Sequence, residues 1–152
     1  MDRALLQKKL QLQKIKNRLS QMNGIAVLEI LNFDAFGWDA DFLQNIGFTS
    51  PTKKADSSIN INATESKIWK WVRFHMQMEN GAVFYLLCGQ FWAKIQITNT
   101  EKAVPNLWNF SEFTCGFTFL TEDKKTLLDI GLDSRDEFHY LWDKYNICCI
   151  KT

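Results

Sequence analysis

Two histidines, two prolines, seven scattered glycines and no long apolar run are the shortages of this 152-residue chain. Each removes a class of function. With only His75 and His139 available, a nucleophile–base pair would need one of them beside a serine or cysteine, and a third group to fix the ring. No local motif sets out such a trio. The glycines fall about one to a turn, so neither G-x-G-x-x-G nor a phosphate-cradling loop is present, and dinucleotide and P-loop binding are excluded. Cysteines stand at 88, 115, 148 and 149 with no C-x-x-C and no metal-ligand spacing. No metal and no other cofactor is therefore expected. Cys148 and Cys149 are adjacent, a poor geometry for a mutual bridge. Free thiols in a reducing compartment, the cytoplasm, are the expectation.

The longest uninterrupted apolar run is Ala82 to Cys88, far short of the roughly 20 residues a membrane-spanning helix needs. The basic N-terminus lacks the apolar region and small-residue cleavage site of a secretory signal. Asn62-Ala63-Thr64 matches a glycosylation acceptor, and without a signal it is read as chance.

What is present is apolar and aromatic. Hydrophobic residues make up 46% of the chain and aromatic ones 14%, enough for one domain over 1–152 with a core that needs no staples. The net charge of +1 excludes a strongly acidic nucleic-acid mimic. It also gives little support to a general nucleic-acid binder. The cations are unevenly placed: Arg3, Lys8, Lys9, Lys14, Lys16 and Arg18 stand against Asp2 alone near the N-terminus.

Leu5, Leu12 and Leu19 repeat at seven, with Ile15 and Met22 between them, so Asp2 to Met22 reads as an amphipathic helix closed by Asn23-Gly24. Its basic face goes to water, or meets an acidic partner, RNA or a membrane surface. Ile25 to Leu31 is ambiguous between strand and helix, Asp39 to Ile46 reads as a short helix, and Thr49 to Ser58 as a loop. A strand is expected near Ile59 to Ile61, and a packed loop from Thr100 to Ser111 around Pro105. Phe113 to Phe119 and Thr126 to Leu132 read as strands. Ser134-Arg135-Asp136-Glu137 has the form of a capping box, and predicts a last helix burying Phe138, Leu141, Trp142 and Tyr145. Ile147 to Ile150 is then an apolar tail.

The centre of this reading is a strand meander from Ile68 to Thr98. Asn80-Gly81 is a strong hairpin signal. Before it, Trp69, Trp71, Arg73, His75 and Gln77 alternate with Ile68, Val72, Phe74, Met76 and Met78, with Lys70 the exception. After Gly89-Gln90, Phe91, Ala93, Ile95 and Ile97 alternate with Trp92, Lys94, Gln96 and Thr98. A two-residue turn there would pair Cys88 with Phe91 and put the apolar face on the side of Arg73 and His75. A bulge at Gly89, pairing Leu87 with Phe91, restores one apolar face and is the register expected.

The expected fold is α+β, a mainly antiparallel sheet of about five or six strands packed with an N-terminal and a C-terminal helix. Trp69, Trp71, Arg73, His75, Trp92 and Lys94 then form one indole–cation face, either covered by the first helix or left as a binding surface. Asp136 and Glu137 form a second candidate patch, suited to a basic partner. The function expected is non-enzymatic: a small cytoplasmic inhibitor of the immunity or antitoxin type, binding a protein partner such as a basic toxin or nuclease. RNA or single-strand binding ranks second. A small Cys/His enzyme built around His75 ranks third.

Overall fold

Asp2 caps the first helix through a 3.1 Å bond from the Ala4 amide to its carboxylate, and α1 runs Arg3–Ser20 as the leucine spacing predicts. The structure is a computed structural model and describes residues 2–38, 41–48, 50–111 and 114–147. After α1 come β1 (Ile25–Asn32), a 3-10 turn (Phe33–Phe36), α2 (Phe42–Asn45), β2 (Ser57–Asn60), α3 (Glu65–His75), β3 (Val83–Cys88) and β4 (Phe91–Ile97). The chain continues with α4 (Thr100–Trp108), β5 (Gly116–Thr121), β6 (Thr126–Asp133) and β7 (Asp136–Asn146). The strands form one seven-stranded sheet in the order β1-β4-β3-β5-β6-β7-β2, antiparallel at every joint.

Three layers result. On one face α1, α3 and α4 cover the sheet, burying Leu19, Val72 and Leu107 against Phe84, Ile95, Phe119 and Leu128. On the other, the segment after β1 lays Phe33, Phe36, Trp38 and Phe42 over Tyr85, Trp92, Leu120, Leu127 and Tyr145. The two-residue period of the strands sends alternate side chains to these two cores.

Five expectations are corrected. Ile68 to Met78 is not the first strand of a meander, because Ile68, Val72 and Met76 bury one helical stripe of α3 and its continuation. Thr100 to Ser111 is mostly helix, with Pro105 tolerated inside α4. The capping box opens no helix: 136–146 is β7, the longest strand of the sheet, and Phe138 is 67% exposed rather than buried. Gly89-Gln90 is a two-residue turn after all, with Cys88 opposite Phe91 and Leu86 opposite Ala93. The objection to that register came from placing Arg73 and His75 on a neighbouring strand. They sit on a helix, so no conflict arises. The sheet has seven strands rather than five or six, and of the predicted terminal helices only the first is present. The tail expected at 147–150 lies outside the described residues beyond Ile147, which is buried.

Candidate functional site

Thr64 starts α3 by accepting from the Lys67 amide at 3.4 Å. The stripe Ile68–Val72–Met76 then faces the sheet, so geometry at roughly 100° per residue turns Lys70 and Phe74 outward. Phe74 is 76% exposed, the most exposed large apolar side chain among the described residues. The two flanks of the helix are tied down by indoles. Trp69 meets Trp108 of α4 edge-on at 6.2 Å and donates to Glu65 at 3.0 Å. Trp71 donates to the Ser57 hydroxyl at 3.0 Å, and Ser57 in turn lies 3.0 Å from His75 Nε2.

The proton count orients that chain. An indole N–H only donates, so the serine proton is free to point at His75 Nε2. Burial holds the His75 pKa below its ordinary value, which keeps the ring neutral and able to accept. The ring also lies 4.5 Å from Trp142 at 34°. Among the described residues nothing bonds His75 Nδ1, so no third group orients the ring as a catalytic base needs.

Beside this chain is a groove of about 540 Å³, lined by Lys70, Arg73, Phe74, His75, Trp142 and Lys144 among others. Lys70, Arg73 and Lys144 make no ion pair among the described residues, and Glu79 is the one acid on the rim. A groove with unpaired cations, an aromatic wall and an exposed phenylalanine can grip an acidic, partly apolar surface.

The indole–cation face expected from sequence is divided by the sheet. Trp69, Trp71, Arg73 and His75 stay together on α3. Trp92 and Lys94 point to the opposite face, away from α1. Trp92 is fully buried, stacked on Phe33 at 5.6 Å and met edge-on by Trp38 at 5.9 Å. Lys94 stands 5.8 Å over the Tyr85 ring and 3.9 Å from Glu122. Asp136 and Glu137 lie at the start of β7. Asp136 accepts from the Phe138 amide at 2.7 Å and pairs with His139 at 3.0 Å, bonds that hold its carboxyl below the usual range. Glu137 is exposed.

Sequence reasoning missed an ionic network. Asp143 is fully buried between Arg135 and Lys53, with Lys53 Nζ at 2.9 Å, while Arg135 also bonds Asp133 and Lys53 also bonds Asp56. Burial works against the charges of Lys53, Asp56 and Asp133. The hydrogen bonds outweigh it, holding Lys53 above its ordinary pKa and both carboxylates below theirs. The alternation Leu141–Asp143–Tyr145 was the available signal, once 136–146 is read with a period of two.

Cys88 does not fit a nucleophile's role. Cys88 is 3% exposed and burial pushes its thiol up to about 12, so it stays protonated and inert. Among the described residues no group of His, Cys, Asp and Glu could hold a metal ion, and no helix is long and apolar enough to cross a membrane. Comparison with known proteins finds no family, no curated protein and no solved structure that matches this chain.

Proposed function

We propose that this chain is a non-enzymatic protein-interaction domain of the inhibitor type, an immunity- or antitoxin-like protein that binds a partner enzyme or toxin and blocks it. Its binding face is the outer side of α3 with the groove beside it. The observation that carries the reading is Phe74, held 76% exposed on a helix whose opposite stripe is fully packed. A large aromatic ring on a rigid element, flanked by Arg73 and Lys70, which make no ion pair among the described residues, has the make-up of a binding hot spot. The partner surface would present acidic groups around an apolar pocket. Asp136 and Glu137 serve as a second contact, toward a basic region of the same partner. Cytoplasmic action agrees with the free thiols at Cys88 and Cys115.

The test is recovery of the tagged chain from its host at two salt concentrations, beside Phe74→Ala and Arg73→Glu variants. A stoichiometric protein retained by the parent at high salt and lost with both variants supports the reading, and loss of that partner's activity in the complex completes it. Retention by both variants would remove α3 as the site. RNA released at high salt would favour the nucleic-acid reading instead.

A further inference from the structure

The two edges of the sheet are unlike. β2 is short and polar, Ser57 to Asn60, and its Ser57 is bonded to Trp71 and His75 of α3. β1 runs eight residues with Glu29 as its single charge and, among the described residues, pairs with β4 alone. Natural sheets blunt an open edge with lysine, proline, brevity, a bulge or a covering element. β1 has a bulge at Leu28 but neither lysine nor proline, and Val27 is 39% and Leu28 52% exposed.

α1 turns back along this strand, with Lys8 standing over the ring of Phe91, the residue opposite Asn32. Between helix and strand runs an open groove of about 540 Å³, its floor formed by Leu12, Leu19, Ile25, Val27 and Ile30 and its wall by Lys16. Lys9, seven residues before Lys16, lies on the same side of the helix by its period. Helix 3–20 contains no acidic residue, and neither lysine makes an ion pair among the described residues.

We propose that this groove takes an extended segment of another protein as an added strand on β1, with apolar and glutamate side chains turned toward α1. The free backbone edge supplies the ladder, the apolar floor takes alternate side chains, and Lys9 and Lys16 take the carboxylates. The spacing fits: seven helical residues rise about 10 Å, and glutamates four apart on a strand span about 13 Å. A second copy of this chain is the poorer occupant. Two β1 strands paired about a two-fold axis would set both α1 helices side by side, lysine against lysine. Glu29 is the one acid that lines the groove, and its register partner is Lys94, which stands over Tyr85 on the other face of the sheet. This surface is separate from the α3 groove, and the two readings stand or fall independently.

The probe is an end-blocked, fluorescently labelled peptide, Thr-Glu-Thr-Val-Thr-Glu-Thr-Val, titrated with the full chain by anisotropy. Its lysine counterpart and two versions N-methylated at alternate residues serve as controls. The glutamate peptide should bind at least about ten-fold more tightly than the lysine peptide. Methylation of one alternate set should abolish binding while the other is tolerated, and amide exchange should slow in β1. Lys9→Glu with Lys16→Glu, both on the exposed helix surface, should invert the preference. No saturable binding of the glutamate peptide, equal binding of both peptides, or indifference to methylation would each overturn the proposal. So would a dimer in sedimentation equilibrium that Leu28→Lys dissociates, or tighter binding of oligouridylate than of the peptide.

Discussion

Arg135 reaches Asp143 across the β6–β7 hairpin with both terminal nitrogens, Nη1 to Oδ1 at 3.3 Å and Nη2 to Oδ2. Asp143 is fully buried, and Lys53 occupies its remaining side at 2.9 Å. Arg135 is in turn held by Asp133, and its Nη1 also donates to the Lys53 carbonyl at 3.0 Å. The pair therefore pins the loop before β2 to the hairpin, which is the end of the sheet that carries α3.

Removing Arg135 leaves Asp143 with one cation in a site it cannot leave. Arg135→Ala should cost about 2–4 kcal/mol in urea unfolding, because an uncompensated buried charge is costly. Arg135→Lys should recover only part, since an ammonium cannot make the forked contact. A loss under about 1 kcal/mol for alanine would mean that Lys53 alone suffices, and that the fork is not what stabilises the hairpin.

Asp129 sits directly opposite Asp143, on β6, with Thr118 donating to it at 2.6 Å. Burial pushes its pKa up to about 6, the charges of Asp143 and Asp133 add to this, and the Thr118 bond and Arg135 oppose it. The sign follows. A raised folded pKa gives stability that is complete below about pH 4 and lost as pH rises through about 6. Asp56 and Asp133, whose pKa values are lowered, act the other way: they stabilise at neutral pH, and their contribution falls away below pH 4. Asp129→Asn keeps an acceptor for Thr118 and abolishes the titration. It should gain about 2–3 kcal/mol at pH 7.5 and little at pH 4. Chemical unfolding of both proteins from pH 4 to 8 reads this directly, and parallel curves would show that Asp129 is charged without penalty.

How much of this was legible can be argued residue by residue. α1, β1 as one of two readings, β4 and β6 follow from periodicity and breakers that tertiary contacts did not overrule. α3 did not, because Trp69, Trp71, Arg73 and His75 alternate as a strand would, while Ile68, Val72 and Met76 fit a helix equally well. Thr64 before an apolar run was the deciding cap, and Lys67 at the third position denies it the reciprocal bond of a capping box. β7 failed in the opposite direction. Ser134 to Glu137 carries the box, yet pairing with both β6 and β2 repays the backbone of 136–146 more than a lone helix would. The candidate site suffered accordingly. Four of its six indole–cation residues came together, but Trp92 and Lys94 belong to the next strand face, and Lys70, Phe74 and Lys144 were not singled out. Distant ion pairs such as Lys53 with Asp143 have no local signature at all.

Gly116 and Gly131 face each other across β5 and β6 so closely that a Cβ on Gly116 would lie 2.2 Å from the Ile130 carbonyl oxygen. One on Gly131 would lie 2.4 Å from that of Cys115. Both residues have positive φ, +126° and +147°, conformations that side chains rarely adopt. Gly116→Ala and Gly131→Ala should each cost about 3 kcal/mol or more in thermal or urea unfolding. Gly89, in the β3–β4 turn, also has positive φ but nothing within 4 Å of its Cβ position, so Gly89→Ala should cost only about 1 kcal/mol. Equal losses at all three sites would show that backbone conformation alone matters and the close approach does not.

Val72 and Phe74 separate the two accounts of the 68–78 segment and test the proposed site at once. On a strand they would share a face and respond alike to truncation. On α3 they are about 200° apart, Val72 fully buried and Phe74 76% exposed. Val72→Ala should then cost about 2–3 kcal/mol through the cavity it leaves. Phe74→Ala should change stability by no more than about 0.5 kcal/mol, as exposed positions do, yet weaken partner binding at least about thirty-fold if it anchors the interface. Unfolding curves and binding isotherms of the same two variants check both halves. If Phe74→Ala unfolds the chain as readily as Val72→Ala, the helix is wrongly placed; if it does neither harm, the exposed ring is not the anchor.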